Sequence, residues 1–389
     1  TLNFTDTCTF DVQGTSSQYY IRKNYKAKFG TPHIHAEGQL PAKVFCLKAD
    51  YAEGTGTHNT QNANLIDTLY SEKIPPQEDN PPVRTTVYGF PCVVFHQATE
   101  NDTPMFIGRY NFNFDKGAEN VFGFSGEAES WEFKNNTSPA CNFTGEITDD
   151  WGDDFEARFP DGSEDISRFK RMHSWVVSTC QANATGRALE EPYTDTDGTV
   201  HTVDNAVYRL AKFKTEFEQH FDMHYSAVYY VYTFFALMVD QRAKNMFLTY
   251  WPQTNKFYPY FYDNDTSFGI NNEGYLVFDY YHQDTDQVDS ANVYNGQNST
   301  LWINFREAFP DVIKSCYQVL RNSGKLTYDV LVKRFVEEGS RKWSASVYNE
   351  DSEYKYISML RTDNNNENLY QVKGSGEEHF KYFAENRLN

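Results

Sequence analysis

The stretch that decides the fold begins Asp240-Gln-Arg-Ala-Lys-Asn245 and, after a run of hydrophobic residues, continues as Asp263-Asn-Asp-Thr-Ser-Phe-Gly269. Residues 246–250 predict a strand, 252–255 a turn and 256–262 a returning strand, so the two polar motifs flank a hairpin. Phosphoryl transfer uses groups in this order. One Asp orients the attacking hydroxyl, an Asn five residues later reaches a metal ion, and a second Asp holds Mg²⁺ against the phosphates. Single Asp and Asn residues usually cap turns, but the ordered set predicts a phosphoryl-transfer site.

Composition limits the classes of protein to consider. With 389 residues, of which 39% are hydrophobic and 17% aromatic, the chain can bury a large core as one domain or two lobes. The abundance of Tyr (28) and Phe (31) favours aromatic-packed sheets. A net charge of −19 argues against a broad nucleic-acid surface. Six scattered cysteines predict buried free thiols. The longest apolar run, residues 227–239, is shorter than the roughly 20 residues that span a bilayer.

The remaining pattern mixes strands and helices and predicts an α+β fold. Alternation or β-rich composition indicates strands over residues 3–12, 19–29, 44–49, 87–97 and 105–114. Apolar residues at helical spacing indicate helices over residues 61–72, 207–221, 225–239, 301–322 and 327–338. Thr57 or Asn59 is the expected cap of the first helix, and Asp204 that of the second. Residues 126–205 read as a polar, acidic and irregular segment, and the tail at residues 364–368 as a loop.

The first strand pair offers two interpretations. Gln13-Gly14-Thr15-Ser16-Ser17 joins its strands, and Lys26 and Lys28 share one face of the second strand. A strand, a small polar loop and a strand with Lys is the arrangement with which a kinase covers ATP phosphates. One Gly and three hydroxyl residues also make an ordinary hairpin turn, and on this segment alone the turn is the simpler interpretation.

Taken together, these motifs resemble the CotH family of atypical, spore-coat type protein kinases. The resemblance runs in order from about residue 10 to residue 345. It is carried by these stretches: Gln13 to Ser17, Arg22 to Phe29, Leu47-Lys48-Ala49-Asp50-Tyr51 with His58-Asn59, Gly108 to Phe112, Asp240 to Asn245, and Asp263-Asn264-Asp265 with Phe268-Gly269. The last two are the most specific. Gln13 departs from the pattern, because the family favours Arg at that position.

The resemblance implies a kinase-like two-lobed fold, with a sheet-rich N-lobe and a largely helical C-lobe, that uses ATP with Mg²⁺ or Mn²⁺ and a protein substrate. It implies a division into an N-lobe (1–125), an acidic insertion or linker (126–205), a C-lobe (206–345) and a C-terminal extension (346–389). The implied site residues are Asp240 and Arg242 as catalytic groups, Asn245, Asp263 and Asp265 as metal ligands, Lys26 or Lys28 on the α/β-phosphates, and Gly14, Thr15, Ser16 and Ser17 as the cover of those phosphates.

A second resemblance is to CotH-type domains in virion or tail proteins of tailed bacteriophages. It implies a non-catalytic structural or adhesive module that contacts other virion or coat proteins and lies in a virion, a tail or a coat-like surface. The chain begins at Thr1 and carries no signal peptide, so we expect part of a longer or processed polypeptide. A glycoside hydrolase that uses Asp263 and Asp265 is less favoured, because alternate residues of an extended strand point to opposite faces.

Overall fold

The computed structural model describes residues 4–14, 17–19, 22–50, 55–270, 296–342 and 376–389. The fold is α+β, as predicted, and its sheets are antiparallel. The first sheet has five strands in the order β1-β2-β3-β5-β4. These strands are β1 (Cys8–Gln13), β2 (Asn24–His33), β3 (Ala42–Lys48), β4 (Gly89–His96) and β5 (Met105–Phe114).

A second sheet of four strands carries the hairpin predicted from the sequence, and a two-stranded hairpin stands apart. The remaining strands are β6 (Glu129–Phe133), β7 (Phe155–Phe159), β8 (Ala188–Thr194), β9 (Val200–Val203), β10 (Met246–Trp251) and β11 (Lys256–Phe261). The second sheet has the order β11-β10-β6-β7, and β8 pairs with β9. Met246 pairs with Phe261 and Trp251 with Lys256, so the predicted antiparallel hairpin is confirmed.

Ten α-helices lie in the described part of the chain. They are α1 (His58–Leu69), α2 (Pro75–Asp79), α3 (Glu119–Phe122), α4 (Ser167–Ser178), α5 (Ala206–His220), α6 (Met223–Phe235), α7 (Thr300–Ala308), α8 (Pro310–Asn322), α9 (Tyr328–Val332) and α10 (Gly376–Leu388). A π-helical segment (Lys333–Ser340) continues α9 directly. None of these helices is long and apolar enough to cross a membrane.

The largest core surrounds α6, whose residues are buried on almost every side. Tyr229 illustrates the packing, because its ring stacks on Phe261 of β11 at 4.1 Å and on Trp302 of α7 at 5.1 Å. Stacked aromatic pairs of this kind stabilise a core beyond their buried area. The aromatic-packed sheets expected from composition are therefore present, and α6 becomes a fixed support for the residues that follow it.

Three expectations from the sequence are wrong. The segment 126–205 is not irregular, because it supplies α4 and the strands β6 to β9, and β6 pairs with β10. Helix α5 is capped by Asn205, whose side chain accepts from the Tyr208 N–H, while Asp204 pairs with Arg209. Residues 301–322 form two helices, since Pro310 begins the second one and cannot donate to the first.

Three smaller expectations concern the cysteines, the cap of α1 and the C-terminal tail. All six cysteines are free thiols, and Cys8 is exposed rather than buried. Helix α1 follows Thr57, as expected, although the Thr57 hydroxyl makes no capping bond to the helix. Residues 364–368 lie outside the described residues, and helix α10 was not anticipated from the sequence.

Candidate functional site

The segment that carries Asp240 is held by main-chain hydrogen bonds at the end of α6. Helix α6 begins after Asp222, whose carboxylate accepts from the Tyr225 N–H at 2.9 Å. Past its last turn, the Phe268 N–H donates to the Ala236 carbonyl at 2.6 Å. The Val239 N–H donates to Thr266 O at 3.1 Å, so this segment and the one that follows β11 are tied together. Asp240 itself is 3% exposed, on a rigid mount of the kind that preorganised sites require.

Asp240 and Asn245 meet directly. The Asn245 Nδ2 atom donates to Asp240 Oδ2 at 2.9 Å, and the Lys244 ammonium lies 3.4 Å from the same oxygen. Asn245 adopts a left-handed backbone conformation with φ of 52°, and its carbonyl accepts from the Tyr262 N–H at 3.1 Å. Because the amide nitrogen faces Asp240, the Asn245 side-chain oxygen is the atom suited to a cation.

Asp263 follows β11 and adjoins Asn245 through the hairpin. Its backbone is also left-handed, with φ of 53°. The Gln241 amide donates to the carbonyls of Tyr262 at 3.1 Å and Asp263 at 2.8 Å, which locks the two polar motifs onto each other. The hairpin therefore brings Asp240, Asn245 and Asp263 to one end, as the sequence predicted.

A lysine of the first sheet reaches this cluster. Lys48, at the end of β3, places its ammonium 3.4 Å from Asp263 Oδ1, although 215 positions separate the two residues. Lys48 is 7% exposed. Burial by itself lowers the pKa of Lys48, but nearby anionic groups, with Asp263 the strongest, raise that pKa well above its usual value. Lys48 is therefore a protonated, nearly buried cation between the two sheets.

Two further carboxylates, those of Asp265 and Asp50, belong to the same cluster. Burial raises the pKa of Asp265 well above its usual value, and the charges of Asp263, Asp50 and Asp240 raise it further. Asp50 is 6% exposed, adopts φ of 44°, and accepts a hydrogen bond from Asn111 Nδ2 at 2.9 Å. The site thus holds more carboxylates than nearby cations.

Helix α1 fixes the loop that carries these carboxylates. Asn59 Oδ1 accepts from the Asn264 N–H at 3.0 Å. The Asn62 amide donates to the Asn264 carbonyl at 2.8 Å and to Ser267 Oγ at 2.9 Å. Tyr232 of α6 completes the network by donating to Asn62 Oδ1 at 2.7 Å. These hydrogen bonds tie the loop to α1 and α6 and favour one loop conformation.

The donor set suits a hard divalent cation only in part. Oxygen ligands are those that Mg²⁺ and Mn²⁺ prefer, and Asn245, Asp263 and Asp265 offer two carboxylates and an amide. The excess negative charge around Asp265 is what such a cation would neutralise. Across the described ranges, no group of three or more His, Cys, Asp or Glu side chains is arranged to hold a metal. The residues therefore fit a cation that takes further ligands from water or phosphate oxygens.

Arg242 packs into the helical core. It is 2% exposed, its guanidinium carbon lies 4.6 Å from the centre of the Tyr230 ring, and its Nε lies 3.3 Å from Thr233 Oγ1. Its carbonyl accepts from Trp302 Nε1 at 3.2 Å. These contacts anchor the Asp240–Asn245 loop to α6 and α7, which is how Arg242 would support a catalytic Asp240.

The predicted phosphate cover is described only in part. Thr15 and Ser16 lie outside the described residues. Gly14 has φ of 105°, and Ser17 Oγ donates to the Gln13 carbonyl at 3.3 Å. The left-handed φ favours Gly at position 14.

The two lysines predicted to contact phosphate differ in their surroundings. Lys26 forms an ion pair of 2.9 Å with Asp115, and Lys28 is exposed. Their contact with phosphates stays a prediction. Sequence reasoning did not assign a role to Lys48, although a lysine that ends the apolar strand Val44-Phe-Cys-Leu-Lys48 could have indicated a buried cation.

No model of a known protein family matches this chain, and no curated protein matches it either.

Proposed function

We propose that this chain is a kinase-like phosphotransferase that uses ATP with Mg²⁺ or Mn²⁺ to phosphorylate Ser or Thr of a protein. One observation carries the proposal. Lys48 of the first sheet lies against Asp263 of the second, beside the Asp240–Asn245 pair. A lysine, a hydroxyl-orienting Asp, an Asn and a metal-binding Asp are the parts that such a transfer requires.

A two-lobed kinase-like frame is the arrangement that the proposal assumes. It is supported by the five-stranded sheet that carries Lys48 and by α1, which bonds to the Asp263–Gly269 loop through Asn59 and Asn62. The second sheet and the α6-centred core would form the other lobe. The carboxylates and Lys48 meet where the end of β3 adjoins the segment after β11, and ligand sites commonly lie between packed elements.

Each residue has a role that its contacts suit. Lys48 is a fixed cation for phosphate oxygens, and because it is already protonated and desolvated it needs no reorganisation. Asp240, held by Asn245 and Lys244, would orient the acceptor hydroxyl. When bound, the metal would neutralise phosphate charge, with Asn245, Asp263 and Asp265 as its protein ligands.

The test is phosphorylation with labelled ATP and Mn²⁺. We expect wild-type protein to incorporate label into itself or a generic protein substrate, and Lys48→Met to reduce incorporation by about 100-fold or more, as expected when a transition-state charge loses its partner. Lys43→Met is the matched control, because Lys43 is an exposed lysine of the same strand. Equal losses in both variants, or no label in wild type, would contradict the proposal.

A second candidate is a non-catalytic structural or adhesive module on the same frame. One observation favours it, since the charges of the site already have partners within the protein. Asp263 pairs with Lys48, and Asp240 pairs with Lys244 and Asn245. Calorimetric titration of wild type with ATP and Mn²⁺ separates the two candidates, because the module predicts no heat of binding and the phosphotransferase predicts saturable heat.

A further inference from the structure

Phe268 is the centre of an aromatic cluster that joins distant parts of the chain. Its ring centroid lies 5.0 Å from that of Phe380, 5.2 Å from Phe335, 5.4 Å from His58 and 5.9 Å from Phe383. Phe380 and Phe383 belong to α10, Phe335 to the π-helical segment and His58 to α1. All four contacts are edge-on, the geometry that aromatic quadrupoles favour.

The backbone at Phe268 explains why this cluster matters. Phe268 has φ of 55°, in the left-handed region, and Asp263 has φ of 53°. A bulky residue rarely adopts this conformation, and it persists only where the surroundings over-determine it. The Phe268 side chain is 1% exposed. Packing of its ring therefore holds the loop in a conformation that the isolated backbone disfavours.

Helix α10 also ties down the segment before Asp240. Arg387 donates from Nε to the Phe235 carbonyl at 3.1 Å and from Nη2 to the Phe234 carbonyl at 2.7 Å. A cation that caps the last carbonyls of a helix complements its dipole. Arg387 thus binds the C-terminal end of α6, and the same helix contacts both segments that carry the site.

The N-terminal end of α1 closes the cluster. His58 Nδ1 lies within hydrogen-bond distance of Ser267 Oγ, at 3.3 Å. The centroid of the His58 ring lies 5.7 Å from that of Phe335 and 5.8 Å from that of Phe380, distances typical of packed aromatic rings. His58 is 2% exposed. Residues more than 200 positions apart therefore hold Ser267 and Phe268 from both sides.

We propose that α10 is a positioning element whose docking onto Phe268 sets Asp263 and Asp265 in their site. If α10 detaches, Phe268 loses the packing that supports its φ, and the loop relaxes. The consequence for ligands rests on the proposed function, since it assumes that Asp263 and Asp265 bind the metal–nucleotide complex. The effect of α10 on the conformation of the loop does not depend on the proposed function.

The experiment compares Phe380→Ala with Phe309→Ala in the whole chain. Phe309 packs against Phe217 and Phe305 in the helical core and serves as a control for loss of an aromatic ring. Amide hydrogen exchange is measured over residues 263–270, and Mn²⁺–ATP affinity by calorimetry. We expect Phe380→Ala to speed exchange in that loop by about 10-fold or more, as local opening becomes easier, and Phe309→Ala to leave it unchanged.

If the competent loop is then populated about one-tenth of the time, apparent Mn²⁺–ATP affinity falls by about 10-fold. Unchanged loop exchange in Phe380→Ala overturns the positioning role, whatever happens to nucleotide. Faster exchange with no nucleotide binding even in wild type supports the positioning role and refutes only the proposed function. Phe380→Leu retains an apolar side chain, so it serves if the Ala variant fails to fold, and it should give a smaller effect of the same sign.

Discussion

Replacing Lys48 by Met tests the contact on which the site depends. The substitution keeps an unbranched side chain of similar length and removes the charge, so packing in β3 is largely preserved. Asp263 then faces Asp265 with no lysine beside it, and Asp50 and Asp240 lie near enough to raise the pKa of Asp265. We expect Lys48→Met to lower the free energy of unfolding.

The magnitude follows from the geometry. At 3.4 Å the Coulomb attraction between Lys48 and Asp263 is about 5 kcal/mol at an effective dielectric constant of about 20. The Asp263 side chain is 32% exposed, so water screens part of this attraction, and the coupling energy should be about 2 kcal/mol. The clustered carboxylates alone would predict that Asp263→Asn stabilises the protein. The Lys48 contact reverses that sign, because Asn leaves a nearly buried ammonium without its partner.

The assay is a double-mutant cycle of urea unfolding without nucleotide or metal. Lys48→Met, Asp263→Asn and the double variant are compared with wild type, and the coupling is the departure from additivity. Lys43→Met, on the exposed side of β3, should change stability by about 0.5 kcal/mol or less.

Additive effects would refute the reasoning, because two residues that attract each other cannot have independent energies. A stabilising Asp263→Asn would refute it as well, since repulsion among the carboxylates would then outweigh the lysine contact.

Three further predictions concern activity, pH and a buried charge cluster. Asp240→Ala should leave Mn²⁺–ATP affinity nearly intact and reduce phosphotransfer by about 100-fold or more, measured by label incorporation beside calorimetry, because a hydroxyl-orienting carboxylate acts mainly in the transition state. Burial lowers the pKa of His173 from 6.5 to about 4, so the unfolded chain binds the proton first. Stability should therefore fall by about 2 kcal/mol as pH drops from 7 to 5, and His173→Gln should lose that part of the pH dependence in urea unfolding. Glu132 lies 2.8 Å from Lys116 and 2.7 Å from Arg158, so Glu132→Gln should cost about 3 kcal/mol in thermal or urea unfolding, and a loss below about 0.5 kcal/mol would contradict this.

Local sequence determined the elements whose signals lie within a few residues. The β10–β11 hairpin follows from two short runs rich in aromatic and other apolar residues on either side of a turn between residues 251 and 256, and its register brings Asn245 beside Tyr262. Apolar residues over 225–239 predict α6, although the helix ends at Phe235 and a short non-helical segment leads from it to Asp240. Short-range composition and turn chemistry suffice to predict these elements, because the hairpin pairing and the helical hydrogen bonds are local, although β6 and α7 also pack against them.

Other elements were misjudged because tertiary contacts override weak local signals. The polar segment 126–205 contains β6, which buries Trp131 and Phe133 and pairs with β10, more than 100 positions away. The charged residues of this segment made it resemble a surface loop. Glu132 is nevertheless buried, because it forms ion pairs with Lys116 and Arg158. A buried ion cluster reads in sequence as a solvated surface.

The composition of the site was decided by the tertiary structure. Several lysines lie near the first strands, and only the packing of the two sheets distinguishes Lys26, Lys28 and Lys48. Lys26 meets Asp115 within the first sheet, Lys28 faces solvent, and Lys48 crosses to Asp263. Neither the spacing nor the residue type encodes which lysine contacts Asp263, because that depends on how the end of β3 packs against the end of β11. The sequence determined which groups are available, and long-range packing decided which of them face one another.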